Sequence, residues 1–236
     1  MKNIILTTIL LLSFADAKEI YATFSVEPYK DAKLAFISSG IVESVNTDIG
    51  SFVRKGEVIA ELENSDINAM LEVSKTAYKY SKKDYERQMK IKELIDEGKF
   101  DIAANKYESA KNQLAYQQAL YNKTFLKAPF DGVIYDKELE VGDAVSGMML
   151  KTVFKIQSKS QRKLVIEFDQ KNYKDVKVGN IFTYKVDGDT ASYKGKISKV
   201  YPHASRENRK IKAEVLAKDF LPGLFGDGYI TTAGKE

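Results

Sequence analysis

The chain has no cysteine, no tryptophan, one histidine and only four prolines in 236 residues. Without cysteine there can be no disulfide, thiol nucleophile, iron–sulfur cluster or lipid anchor on an N-terminal cysteine. The lone His203 sits in Tyr201-Pro202-His203-Ala204, which reads as a loop. It lacks the Cys or Glu-x-x-His spacing of a metal site and reads as a surface residue. Charge of one sign is also lacking: 37 Lys+Arg against 33 Asp+Glu leave +4. That balance neither requires nor excludes an anionic partner. Asp187-Gly188-Asp189 lacks the remaining ligands of a calcium loop and reads as a hairpin turn. No nucleophile–base set, phosphate loop or metal cluster is visible, so nothing marks an enzyme and no cofactor is expected.

Long apolar runs are scarce as well. The one at Ile4 to Phe14 follows the basic Met1-Lys2-Asn3 and precedes the small-x-small site Ala15-Asp16-Ala17. This is the pattern of a cleavable secretory signal peptide over 1–17. At about half of the roughly 20 residues a spanning helix needs, it is short for an anchor, and an uncleaved anchor is the alternative. Export to a bacterial periplasm is the expectation.

What is present is an internal repeat. Gly40-Ile41-Val42-Glu43-Ser44-Val45-Asn46-Thr47-Asp48-Ile49-Gly50 and Gly132-Val133-Ile134-Tyr135-Asp136-Lys137-Glu138-Leu139-Glu140-Val141-Gly142 share glycine spacing and apolar positions. Each continues through a valine to another glycine, Val53 to Gly56 and Val145 to Gly147. Two copies of one pattern predict two halves of one small β domain. Between them the texture turns helical, with no proline and one glycine, Gly98, from 57 to 128. Leu71, Ser74, Tyr78, Ser81, Tyr85 and Gln88 step by three and four, and so do Ala103, Tyr107, Ala110, Leu114, Gln117, Tyr121 and Thr124. These are heptad seams of an antiparallel hairpin, with tyrosine rings laid across the partner helix. The arms are predicted from Asp66 to Leu94 and from Asp101 onward, with a turn at Asp96-Glu97-Gly98-Lys99 and Asp101 as the N-cap. Basic residues interleaved with tyrosine over 78–92 suit a solvated helix face better than nucleic acid. After 152, runs such as Leu164 to Phe168, Ile181 to Val186, Lys196 to Val200 and Lys210 to Val215 predict a small barrel or sandwich.

This arrangement resembles the periplasmic adaptor, or membrane fusion protein, family. The resemblance is strongest at Thr124-Phe125-Leu126-Lys127-Ala128-Pro129-Phe130-Asp131-Gly132-Val133-Ile134 and extends through Val176-Lys177-Val178-Gly179, Tyr193-Lys194-Gly195-Lys196-Ile197 and Leu221-Pro222-Gly223-Leu224-Phe225. It implies a mixed α and β fold: a lipoyl-like β domain (34–65 and 125–156), split by an α-helical coiled-coil hairpin (66–124). A β-barrel (18–33 and 157–230) and a tail (231–236) complete it. The molecule is expected to be elongated, with the family's membrane-proximal domain missing.

The resemblance also implies partners: an inner-membrane transporter, with the resistance-nodulation-division type preferred, and a TolC-type outer-membrane channel. It implies a homo-oligomeric ring as well, a hexamer being one option. The exported cargo would be small molecules or drugs. An adaptor of an ATP-driven or type I exporter, or a ligand-binding or carrier module, is the alternative. Against a carrier, the place of the modifiable lysine holds Glu63-Asn64-Ser65-Asp66. The family's hairpin-tip pattern Arg-x3-Leu-x6-Ser aligns with Lys90, Leu94 and Asp101, around Gly98. These four residues are the expected channel contact. His203, Arg206 and Arg209 are the expected transporter-facing barrel loop. Met148 and Met149 are the expected lining of the ring's lumen, core packing being the alternative.

Overall fold

The computed structural model of the chain describes residues 18–232. The expected leader at 1–17 lies outside them, as do residues 233–236 of the expected tail. Strand β1 spans Glu19–Pro28 and β2 spans Asp31–Leu34. The first half-repeat forms β3 (Gly40–Val45), β4 (Phe52–Val53) and β5 (Val58–Leu62). Helices α1 (Ser65–Lys90) and α2 (Glu97–Asn122) follow, joined through a short 3-10 turn at Lys92–Leu94. The second half-repeat forms β6 (Phe125–Lys127), β7 (Gly132–Lys137) and β8 (Ala144–Val145), and β9 covers Phe154–Gln157. Last come β10 (Gln161–Asp169), β11 (Ile181–Val186), β12 (Tyr193–Ala204), β13 (Lys210–Lys218) and β14 (Phe225–Thr231). The chain divides into two units, Asp31–Lys159 and the segments on either side of it.

The unit at Asp31–Lys159 contains two four-stranded sheets, ordered β2-β9-β7-β4 and β6-β5-β3-β8. The repeat explains this topology, because each half completes the other. Gly40 at the start of β3 pairs with Val145 of β8, and Gly132 at the start of β7 pairs with Val53 of β4. The turns follow the same exchange: Gly50 N–H donates to Ile134 O at 2.8 Å, and Gly142 N–H to Val42 O at 2.9 Å. Both glycines have positive φ, +86° and +91°, which only glycine adopts without steric cost. The two sheets close over Val42, Val53, Ile59, Leu62, Ile134, Phe154 and Ile156, all at most 1% exposed. At roughly 1.5–3 kcal/mol per fully buried large apolar side chain, this shared core is what holds the halves together.

The second unit is a closed six-stranded barrel, ordered β1-β10-β13-β12-β11-β14. β1 closes it by pairing with both β10 and β14. Alternation along β10 and β14 sends Leu164, Ile166, Phe168 and Ile230 inward, with Phe24 and Phe182 beside them. One detail differs from the sequence expectation. Tyr201-Pro202-His203-Ala204 is the end of strand β12, not a loop. Its register shifts between Val200 and Ala204, and that bulge accommodates a proline that an unbroken ladder could not. β14 runs through Gly226 and Gly228. A Cβ on Gly226 would lie 2.1 Å from Lys185 O and 2.6 Å from the Phe24 ring, so the glycines let the strand pass close to its neighbours.

Candidate functional site

The hairpin is set on the β domain by its own ends. β5 and β6, which flank it in sequence, pair through Ala60 with Leu126 and Glu61 with Phe125. The Asn64 side chain, buried at the start of α1, donates to Thr124 Oγ1 at 3.2 Å. Thr124 Oγ1 in turn donates to Tyr121 O at the end of α2. Both arms contain 26 residues, so each rises about 39 Å at 1.5 Å per residue. The arms match as expected, although α1 starts one residue and stops four residues earlier than predicted, and α2 starts four residues earlier.

The seams meet as their spacing requires. Leu71, Ser74 and Ser81 of α1 and Ala103 and Gln117 of α2 are buried. Aromatic rings meet across the gap: Tyr78 stacks with Tyr107 at 5.8 Å between ring centres, and Tyr85 lies tilted against Phe100 at 5.6 Å. Hydrogen bonding to Tyr78 and burial raise the Tyr107 phenol above its ordinary pKa. Small serines alternating with rings leave room for this stack.

At the tip, Lys90 is the last residue of α1, and Leu94 closes the 3-10 turn with 85% of its surface exposed. An apolar side chain this exposed gains nothing from folding and is available to a partner. Asp101 does not cap α2. The helix begins at Glu97, and Asp96 is the N-cap, in extended conformation, its Oδ1 accepting from Lys99 N–H at 3.3 Å. Starting there gains a further turn of helix and leaves Asp101 inside it, exposed. Gly98 is likewise not a turn residue but lies in the first turn of α2. A Cβ there would come 3.0 Å from Asp96 Oδ1, so glycine makes room for the cap. Sequence reasoning passed over Asp96 because two aspartates compete for one cap.

The other expected residues fall elsewhere. His203 is exposed on β12, and Arg206 and Arg209 are exposed in the five-residue turn between β12 and β13. That turn is tight: Ser205 N–H donates to Lys210 O at 2.9 Å and Arg209 N–H to Ser205 O at 3.0 Å. Arg209 has φ +55°. Met148 and Met149 are not in the core; they are 92% and 78% exposed, next to Leu150 at 67%. Gly147 holds this segment against the domain, donating its N–H to Ser39 Oγ at 3.0 Å.

One apolar surface was not anticipated. Met70, Val73 and Tyr80 lie on α1 away from the tyrosine seam, exposed, along a groove of about 1270 Å³ that also touches Lys106 and Ser109 of α2. Among the described residues no group of three or more His, Cys, Asp or Glu side chains is placed to hold a metal ion. Among them, too, no helix is long and apolar enough to cross a membrane.

Residues 32–157, just over half of the chain, match the family described as CzcB-like, barrel-sandwich hybrid domain. The chain belongs to this family. It is thus a CzcB-like member of the periplasmic adaptor family expected from its sequence. It is similar to the cobalt-zinc-cadmium resistance protein CzcB of Cupriavidus metallidurans, 25% identical over 79% of this chain and 40% of that protein. The cation efflux system protein CzcB of an Alcaligenes species is 24% identical over the same shares. The chain therefore spans less than half the length of the curated relatives it matches. Among solved structures, a MacA–MexA chimera carrying the Pseudomonas aeruginosa MexA α-hairpin superposes with TM-score 0.82, at 19% identity over 93% of this chain and 84% of that one. ZneB of Cupriavidus metallidurans superposes with TM-score 0.61, at 18% identity over 92% and 71%. These two likenesses establish the fold: a lipoyl-like domain split by a helical hairpin, with a six-stranded barrel.

Proposed function

We propose that the chain is the periplasmic adaptor of a tripartite efflux system. It joins an inner-membrane transporter of the resistance-nodulation-division type to a TolC-type outer-membrane channel, and its system exports divalent metal cations. The observation that carries this reading is the hairpin: two matched arms on a β domain of the CzcB-like family, ending in an exposed leucine. The cargo follows from the curated relatives, whose names specify cobalt, zinc, cadmium and cations. Drugs, the broader expectation from the fold, have no such support. The adaptor need not bind the ions itself.

In this reading Lys90 and Leu94 meet the channel, with Asp96 shaping the tip that presents them. Leu94 supplies apolar contact, and Lys90 a charge-assisted hydrogen bond to a carbonyl or carboxylate. The barrel turn with Arg206 and Arg209, beside His203, meets the transporter. Copies of the chain assemble as a ring, in which the exposed Met148 and Met149 line the lumen. The second apolar stripe on α1 favours side-by-side hairpins, and a ring multiplies modest contacts through avidity.

The test is crosslinking in cells followed by copurification, with metal tolerance measured in parallel. Leu94→Asp should lose the channel and sensitise cells to cobalt, zinc or cadmium at normal protein abundance. Deleting the gene without changing metal tolerance would overturn the cargo, and unchanged recovery of the channel would overturn the tip contact.

A further inference from the structure

The barrel unit holds a cavity of about 530 Å³ that the adaptor role leaves unused. Its wall is aromatic. Tyr184 and Tyr193 stack with ring centres 5.6 Å apart, and Phe220 sets its edge against both, at 6.5 Å and 5.1 Å. Tyr29, Leu216 and Ala217 also line it. Tyr193 is held in place by its hydroxyl, which donates to Asp189 Oδ2 at 2.7 Å. The backbone of Tyr29 is held as well, its N–H donating to Gln161 O at 3.1 Å.

The charges around this wall are already met. Lys194 and Lys218 are exposed, where water and salt screen them. Arg162 is 6% exposed, but its guanidinium is engaged: Nε donates to Phe220 O at 2.7 Å and Nη1 to Gln161 O at 2.9 Å. Burial lowers the Arg162 pKa from its ordinary value, and the charge of Asp219 acts in the opposite direction. What the wall leaves open is a hydroxyl. Tyr184 is 5% exposed, and its hydroxyl has no hydrogen-bond partner among the described residues. Burial, and then the neighbouring Tyr193, raise that phenol above its ordinary pKa, so at neutral pH it keeps its proton. A hydroxyl withdrawn from water without a partner gains from an acceptor oxygen brought within reach.

We propose that this cavity binds a small, uncharged, planar aromatic molecule bearing a hydroxyl or carbonyl oxygen, its ring against Tyr193 and Phe220 and its oxygen on the Tyr184 hydroxyl. Flat rings suit a flat ligand face, since aromatic groups prefer stacked or edge-on partners, and a puckered saturated ring of the same size cannot reproduce that fit. The cavity volume is within the usual range for small-ligand sites, roughly 300–1,000 Å³. An apolar wall with one placed polar group is also the common make-up of such sites. The site rests on the barrel alone and is independent of the efflux reading.

Calorimetry on the purified full chain tests it, with naphthol as the probe and decahydronaphthol and naphthoate as comparators. Naphthol should saturate one site per chain. Decahydronaphthol keeps the hydroxyl but not the flat ring, and should bind about tenfold more weakly. Tyr184→Phe keeps the ring and loses the donor, so naphthol should bind it about fivefold more weakly. Tyr193→Phe should retain binding, and Tyr193→Leu should bind about tenfold more weakly. The comparators are read on the native chain, so they decide the matter even where a variant folds poorly. No saturable heat, or equal affinity for naphthol and decahydronaphthol, would overturn the site. Unchanged affinity in Tyr184→Phe would overturn the oxygen contact. Naphthoate bound more than about tenfold tighter than naphthol would overturn the uncharged ligand class.

Discussion

Tyr85 of α1 lies flat on Tyr107 of α2, with ring centres 5.0 Å apart and planes 8° from parallel. Tyr107 also stacks on Tyr78, so one ring of the second arm is held between two of the first. The hairpin has no continuous leucine seam, and much of its register rests on this clasp. Removing the middle ring should loosen both contacts at once. Tyr107→Ala is expected to raise hydrogen exchange by roughly tenfold at amides around Tyr78, Tyr85 and Tyr107 while leaving barrel amides unchanged. Tyr107→Phe should behave almost as the native chain. Equal exchange in the Ala variant would mean that the serine and alanine contacts suffice.

The barrel closes where β14 passes under β1 and β11. Gly226 has no room for a side chain, with Lys185 O at 2.1 Å and Phe24 Cζ at 2.6 Å from the site of a Cβ. Because the nearer obstacle is backbone, it cannot rotate aside. Gly226→Ala should destabilise the barrel by about 3 kcal/mol, the upper end of overpacking costs. Gly179→Ala offers the contrast, since nothing lies within 4 Å and only its φ of +94° opposes the change. There the cost should be about 1–2 kcal/mol, that of left-handed backbone. Urea denaturation of the two variants, compared at equal m-value, checks the ordering.

Those two glycines also show why parts of the fold were legible and others were not. The repeat could be read because positive φ at Gly50 and Gly142 recurs at the same spacing, as do the buried Val42 and Ile134, each two residues after the first glycine of its half. The seams could be read because burial in a two-helix pair follows the heptad. β14 was hidden because its glycines answer to Phe24 and Tyr184, which are distant in sequence. The full length of β12 was hidden because Pro202 is tolerable only at a bulge, and the bulge depends on the β13 register. At the tip, Leu94 could be placed but the cap could not. Asp96 and Asp101 are chemically equal, and the start of the helix decides between them. The exposure of Met148 and Met149 depends on how Gly147 packs against Ile37, a contact across more than a hundred residues.

One buried carboxylate makes the barrel sensitive to acid. Glu214 accepts from the Tyr201 hydroxyl at 2.6 Å and pairs with Lys199 at 3.2 Å. Burial would raise the Glu214 pKa, but the bonds from Tyr201 and Lys199 outweigh it and hold the carboxyl below its ordinary value of 4.5. The same hydrogen bond, with burial, pushes the Tyr201 phenol up to about 12. A carboxyl depressed in the folded state contributes stability above pH 4.5, and loses it as pH falls through the folded value. Tyr201→Phe should therefore cost about 1 kcal/mol at neutral pH, with the difference from the native chain shrinking in acid as Glu214 protonates. Parallel melts from pH 7 downward give the answer; a constant offset across the range would show that the bond does not depend on the charge.

The turn between β12 and β13 separates the backbone role of its residues from their side-chain role. Arg209 O accepts from Gln170 N–H at 3.1 Å, and its N–H donates to Ser205 O. These bonds persist with any residue that tolerates φ of +55°. Both arginine side chains are exposed, and no other part of the turn depends on their charge. Replacing Arg206 and Arg209 with Glu should thus leave the melting temperature within a few degrees of native, since surface substitutions of this kind change stability by about 0.5 kcal/mol or less. The same variant should weaken capture of the inner-membrane transporter in crosslinked cells, because reversing rim charges alters both encounter and specificity. Channel recovery should be unchanged, since the hairpin tip is untouched. Arg209→Gly serves as the control: it relieves the left-handed strain, should stabilise the turn slightly, and removes only one charge. If the double reversal costs the channel and spares the transporter, the assignment of hairpin to channel and barrel to transporter is inverted.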